Sequence, residues 1–116
     1  MQLAAIVEAL PLSFDQEAIP EIEVAGGYCS DLLSDVMAKA AAKSIWVTNQ
    51  IHPNVIAVAS LIDAAAVIIA GGIKPEEHTL NKSREVGIPL FATDLTAFEV
   101  VGRLYELGVR GIVRSA

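Results

Sequence analysis

Residues 55–73 read VIAVASLIDAAAVIIAGGI, an apolar run broken by one charge, Asp63. Its length approaches that of a membrane span, so the way it divides decides the fold. In the first half Val55, Val58, Ala59 and Ile62 recur at helical spacing. The second half carries Ala66-Val67-Ile68-Ile69, a β-branched run closed by Gly71-Gly72, as a buried strand ends in a turn. A charge at the division and a glycine pair at the end fit a helix followed by a buried strand, and no membrane span is expected.

The same alternation extends in both directions. Upstream, Ile45-Trp46-Val47 reads as a strand, and Pro53 stands where the next helix begins, since proline at the first helical position loses no intrahelical bond. Before it, Leu32, Leu33, Val36, Met37 and Ala40 stripe a helix with Ser30 as its expected N-cap and Asp31 at its positive end. Ile22-Glu23-Val24-Ala25 alternates as a strand closing at Gly26-Gly27, and Leu3, Ile6, Val7 and Leu10 mark a first helix ended by Pro11. Downstream, a helix starts at Pro75 with Glu76 and Glu77 in its first turn and stops at Gly87. Ile88-Pro89-Leu90-Phe91 is a further strand. The last helix has a capping box, Thr96 and Glu99, a staple, Leu95 and Val100, and a stop at Gly108. The segment after Gly108 fits either a short strand or a frayed tail.

Near-continuous apolar strands alternating with helices imply an α/β three-layer sandwich. Its sheet is mainly parallel, with about four to five strands and helices on both faces. At 116 residues one domain spanning 1–116 is expected. Hydrophobic residues form 53% and charged residues 19%, which excludes a disordered chain and is apolar enough for so small a body that a homodimer is expected. Lys and Arg total 8 against 14 Asp and Glu, net −6, and Arg103, Arg110 and Arg114 lack interleaved aromatics, so nucleic acid is not an expected partner. The lone Cys29 permits no internal disulfide, and residues 1–10 lack a basic signal-peptide start, so a cytoplasmic location is expected.

Ligands of open parallel sheets sit beyond the carboxyl ends of the strands, where helix N-termini and backbone donors converge. The candidate ligand-binding residues there are Gly26, Gly27, Ser30 and Asp31, then Thr48, Asn49, Gln50 and His52, then Gly71 and Gly72, then Thr93 and Asp94. Such a small, polar rim suits a phosphate, carboxylate or amide, held by backbone amides because no Lys or Arg is expected on it. Glycine pairs also mark ordinary turns. No phosphate-binding P-loop, dinucleotide fingerprint or nucleophile elbow is present, and Cys29, His52 and His78 share no zinc spacing. Asp31 and Asp35, a helical turn apart, suit a hard cation or simply the helix dipole. His52 with Asp31 or Asp94 is a candidate acid–base pair, or a satisfied turn histidine. Cys29 is either a thiolate favoured by a helix N-terminus or a packed hydrophobe, and Trp46 is expected in the core with a partner for its ring nitrogen.

Three stretches together resemble the DRTGG domain family, small α/β modules related in fold to the N-terminal domain of HPr kinase. They are Ser30-Asp31-Leu32-Leu33-Ser34-Asp35-Val36-Met37, then Ile56-Ala57-Val58-Ala59-Ser60-Leu61 with Ile68-Ile69-Ala70-Gly71-Gly72, and Gly87-Ile88-Pro89-Leu90 with the helix from Thr96. The chain departs from the family's name. It has Asn49-Gln50-Ile51-His52-Pro53-Asn54 where an Asp-Arg pair is implied, and Ala70 where the threonine of Thr-Gly-Gly is implied. The resemblance implies a regulatory or dimerising module of the kind that accompanies nucleotide-sensing CBS domains, pyrophosphatases and phosphotransacetylases.

The leading expectation is a non-catalytic regulatory or adaptor domain, without cofactor or metal, that binds a small metabolite, a nucleotide or a protein partner. The alternatives are a small enzyme using His52 with a rim carboxylate, and a structural subunit of a metabolic complex. The dimer contact is expected on the helix over residues 55–62 or on that over residues 96–107.

Overall fold

The computed structural model describes residues 1–115, and residue 116 lies outside the described residues. Helix α1 (Leu3–Ala9) is followed by strand β1 (Gly26–Cys29), α2 (Leu33–Lys39), β2 (Ser44–Thr48), α3 (Asn54–Leu61), β3 (Ala66–Ile69), α4 (Glu77–Val86), β4 (Leu90–Ala92) and α5 (Ala97–Leu107). The strands form one four-stranded sheet in the order β1-β2-β3-β4, with every neighbouring pair parallel.

The core divides cleanly by strand parity. Ile45, Val47, Ala66, Ile68 and Phe91 pack with Leu3 and Ile6 of α1 and with Val100 and Leu104 of α5. Trp46, Val67, Ile69 and Leu90 pack on the opposite face with Val36 of α2 and with Val55, Ile56 and Ala59 of α3. All of β2 and β3 is buried, which is why residues 66–69 carry no polar side chain. Trp46 is fully buried, and its ring nitrogen donates to the Ser30 carbonyl at 2.9 Å. Among the described residues no helix is long and apolar enough to cross a membrane.

The first strand lies four residues later than its sequence pattern suggests. Ile22 and Val24 do turn inward, but their backbone pairs with the N-terminus: Leu3 N–H donates to Ile22 O and Val24 N–H to Met1 O, with an antiparallel bridge from Gln2 to Glu23. Gly26 and Gly27 therefore open β1 rather than close it, and they stand at the end of the sheet opposite the rim. Their lack of side chains admits the C-terminal segment, because a Cβ on Gly26 would lie 2.6 Å from Ile112 Cγ1 and 2.7 Å from the Arg110 carbonyl oxygen.

That segment is neither frayed nor a regular strand. Gly27 N–H donates to Arg110 O at 3.0 Å, Gly111 bridges Gly27 in parallel, and Arg114 N–H donates to Lys39 O at 2.8 Å. The opposite sheet edge is covered by Ser13, which exchanges backbone bonds with Ala92 at 2.8 and 3.1 Å, while Phe14 stacks on Phe91 at 4.6 Å. Both edges are thus shielded from pairing with other chains.

Helix ends differ from expectation in four places. Pro53 is the N-cap of α3 rather than its first residue, and α4 starts at Glu77 with Glu76 as N-cap, two residues after Pro75. Ser30 is not the cap of α2, whose N-cap is Leu32; its hydroxyl accepts from Leu32 N–H at 3.1 Å in a turn ahead of the helix. The capping box of α5 is half made: Thr96 Oγ1 accepts from Glu99 N–H at 3.3 Å, but the Glu99 carboxylate lies 3.7 Å from Arg103.

Gly26→Ala should destabilise the protein by roughly 1–3 kcal/mol, the range for overpacking a tight contact, and should loosen residues 110–114. Gly27→Ala, whose added Cβ would lie 3.4 Å from Val109 Cγ1, should cost much less. Urea unfolding of both variants, with hydrogen exchange at the Gly27 and Arg114 amides, checks this.

Candidate functional site

The carboxyl ends of β1 to β4 form a continuous rim. At its β1–β2 end, Asp31 Oδ1 accepts from Thr48 Oγ1 and from Asn49 N–H, each at 2.8 Å. Gln50 donates its side-chain amide to Asp31 O at 3.1 Å and its backbone N–H to Thr48 Oγ1 at 3.2 Å. This network, with Ser30 one residue away, stitches two successive loops together. Asn49 reaches onward to the third loop, since its Oδ1 lies 3.3 Å from where a Cβ on Gly71 would stand.

The glycine pair then meets the fourth loop. Gly71 N–H donates to Leu95 O at 2.7 Å and Gly72 N–H to Thr93 O at 3.0 Å. With φ of 90° and 75°, both glycines adopt the left-handed backbone that side chains disfavour. Their amides are consumed by the neighbouring loop, so an anion cradled by them is not what the turn provides. Thr93 is spent similarly: its hydroxyl donates to Pro11 O at 2.9 Å and accepts from Leu95 N–H at 3.2 Å.

A crevice opens where the loops diverge. The chain after β3 leads to α4 on one face of the sheet, and the chain after β4 leads to α5 on the other. Such a divergence is where open α/β sheets bind ligands. Here it forms a pocket of about 420 Å³ between Gly72, Ile73 and Lys74 on one wall, Ala92, Thr93 and Asp94 on the other, and Pro11, Leu12 and Ser13 across the mouth. Gly72, Thr93 and Asp94 are rim residues legible in the sequence. Lys74 and Ser13 are not, and Lys74 corrects the expectation of a rim without a cation. Its signal was its place two residues past the glycine pair; Ser13 reaches the site through its long-range bridge to Ala92 and gave none.

Other expected chemistry is not assembled. His52 Nδ1 accepts from Asn54 N–H at 3.1 Å, so the ring caps the loop into α3, and no hydrogen bond joins it to Asp31 or Asp94 among the described residues. Asp31 and Asp35 do not converge: Asp35 accepts from Tyr28 OH at 2.7 Å and lies 3.3 Å from Lys39 Nζ. Among the described residues no group of three or more His, Cys, Asp or Glu is placed to hold a metal. Cys29 is exposed, yet partial burial of its thiol and the Asp31 charge push its pKa up, away from thiolate reactivity.

Comparison with protein-family models and with curated proteins finds no match. Among solved structures, the chain is similar to the crystal structure of the CBS and DRTGG domains of the regulatory region of Clostridium perfringens pyrophosphatase complexed with activator, diadenosine tetraphosphate. The TM-score is 0.64 at 14% identity over 88% of this chain. The chain spans 45% of the length of that one. The likeness is one of fold, and it agrees with the DRTGG resemblance read from the sequence.

The Tyr28–Asp35 bond ties β1 to α2 beneath the rim. The Tyr28 hydroxyl, then Ser30 and Lys39, hold the Asp35 carboxyl below its ordinary value, while the same bond raises Tyr28. The lowered Asp35 contributes stability that is present above the ordinary aspartate value and lost as pH falls through the folded one. The raised Tyr28 contributes stability present below the ordinary tyrosine value and lost as pH rises through its folded one. Tyr28→Phe should therefore be less stable than the native chain at neutral pH, and the gap should close toward both extremes. Urea midpoints across pH measure it.

Proposed function

We propose that the chain is a non-catalytic regulatory domain of the cytoplasm, acting as a homodimer, that binds a small phosphorylated metabolite such as a nucleotide in the crevice between the β3 and β4 loops. The observation that carries this reading is the placement of Lys74 and Asp94 in the lining of one pocket. An ammonium group suits a phosphate, and a carboxylate suits a ribose hydroxyl or an exocyclic amine, so the walls match a ligand that presents both.

Two further observations support it. Of the groups that acid–base chemistry would use, Asp31 and His52 hold loops in place, and no hydrogen bond joins His52 to Asp94 among the described residues. The structural neighbour is a regulatory region complexed with a nucleotide activator. The rim residues Ser30, Asp31, Thr48, Asn49, Gln50, His52 and Gly71 then act as the scaffold of the crevice rather than as its walls.

Affinity should be modest and should fall with salt, because one exposed ammonium group supplies the attraction. Titration with ATP, ADP and inorganic phosphate should shift the backbone amides of Ser13, Gly72, Ile73, Lys74 and Asp94. Lys74→Ala should weaken binding about fivefold, equivalent to ~1 kcal/mol for one exposed charged hydrogen bond. Shifts confined to α4 or to residues 109–115 would place the ligand elsewhere. Saturating ligand with no shift at all would favour a protein partner or a structural subunit.

A further inference from the structure

The outward side of α5 carries an apolar stripe, bordered by Glu106 and by Arg110, whose guanidinium lies over the Tyr105 ring at 3.8 Å. Phe98, Val101, Gly102 and Tyr105 recur at the spacing that sets side chains on one face, and Phe98 and Tyr105 are 90% and 58% exposed. With Cys29 they border an open hollow of about 680 Å³. Through Cys29, Val101 and Tyr105 it joins a cavity of about 230 Å³ beneath the helix. Gly27 and Cys29, which line it together with Tyr28, have side chains too small to reach across the space under Leu104.

Gly102 is the second observation. A Cβ there would meet nothing within 4 Å, and glycine in mid-helix weakens the helix relative to alanine. Among the described residues no contact accounts for a bare backbone at the centre of an apolar stripe. Close approach by another helix does, because small residues let two helix axes come together.

The geometry points to this face as the interface of the homodimer, with α5 crossing α5 of a second copy antiparallel about a two-fold axis between Val101 and Gly102. The stripe is self-complementary in that sense alone: Phe98 meets the partner's Tyr105, and Val101 fills the space left by the partner's Gly102. Charge agrees with the packing. Glu99 and Arg103 lie 3.7 Å apart within one helix on the flank of the stripe. The two-fold axis brings Glu99 toward the partner's Arg103 and the reverse, so a chain of net charge −6 meets its copy through paired charges. The expected alternative, α3, turns Val55, Ile56, Val58 and Ala59 into its own core and leaves only Leu61 as a large exposed apolar side chain. The inference rests on the dimeric part of the proposed function and not on the crevice.

Sedimentation velocity from micromolar to high micromolar protein tests it. The native chain should form a dimer, and Phe98→Asp, at a site exposed in the monomer, should give a folded monomer with an unchanged circular dichroism spectrum. Gly102→Ala should act in opposite directions. It should raise the thermal midpoint in the Phe98→Asp background, yet weaken dimerisation of the otherwise native chain by roughly tenfold through crowding at the crossing. Glu99→Lys and Arg103→Glu should each weaken the dimer and together restore it. A native dimer indifferent to Phe98→Asp and Gly102→Ala would overturn this interface while leaving dimerisation standing. A native monomer at high micromolar concentration would overturn both, and would assign the face to a different apolar partner. Ligand shifts in the crevice are read independently of either result.

Discussion

Burial of β2 and β3 on both faces is the constraint from which the rest follows. Every residue of these two strands is enclosed, so the sheet needs an apolar layer on each side. The strands lie in sequence order and parallel, and crossovers of one hand between successive strands all fall on the same side. Helices α2, α3 and α4 therefore crowd one face. The second face is left to the helices that connect no two strands, α1 before β1 and α5 after β4. This is why α5 leaves β4 at one edge of the sheet and delivers residues 109–114 to β1 at the other.

Polar chemistry is displaced by the same constraint. Within β2 and β3 the polar side chains are Ser44 and Thr48 at the two ends of β2, so groups able to bind collect where the strands end, and there most of them hold loops. Asp31, Thr48 and Gln50 join the first two loops; the Gly71 and Gly72 amides join the last two. Only where the chain changes faces, after β3 toward α4 and after β4 toward α5, do the loops part far enough to leave a pocket.

Much of this was legible in the sequence. Residues 66–69 announced a buried strand because burial on two faces excludes polar side chains, and Thr96 and Gly108 announced α5 because capping needs a hydroxyl at one end and a left-handed backbone at the other. The rim was legible as a set of residues but not as a set of bonds. Asp31 and His52 look the same in sequence whether they bind a ligand or brace a loop. The glycines misled in a particular way: Gly26-Gly27 and Gly71-Gly72 are the same dipeptide, yet the first admits a neighbouring segment of chain and the second turns the backbone through positive φ. Which role applies depends on contacts with residues 110–112, more than eighty positions away. Ser13 was illegible for the same reason, since it enters the site only through a long-range bridge to β4.

The crevice and the exposed face of α5 are adjacent along the chain, since Asp94 lines the first and α5 begins three residues later. Thr93 and Leu95 carry the hydrogen bonds that close the crevice floor, and Thr96 caps the helix that follows directly. The ligand proposed for the crevice would therefore act on a pocket wall that leads directly into α5. A ligand changes the association of two copies only to the extent that it binds the associated and separate forms with different affinity, and association must then change ligand affinity by the same factor.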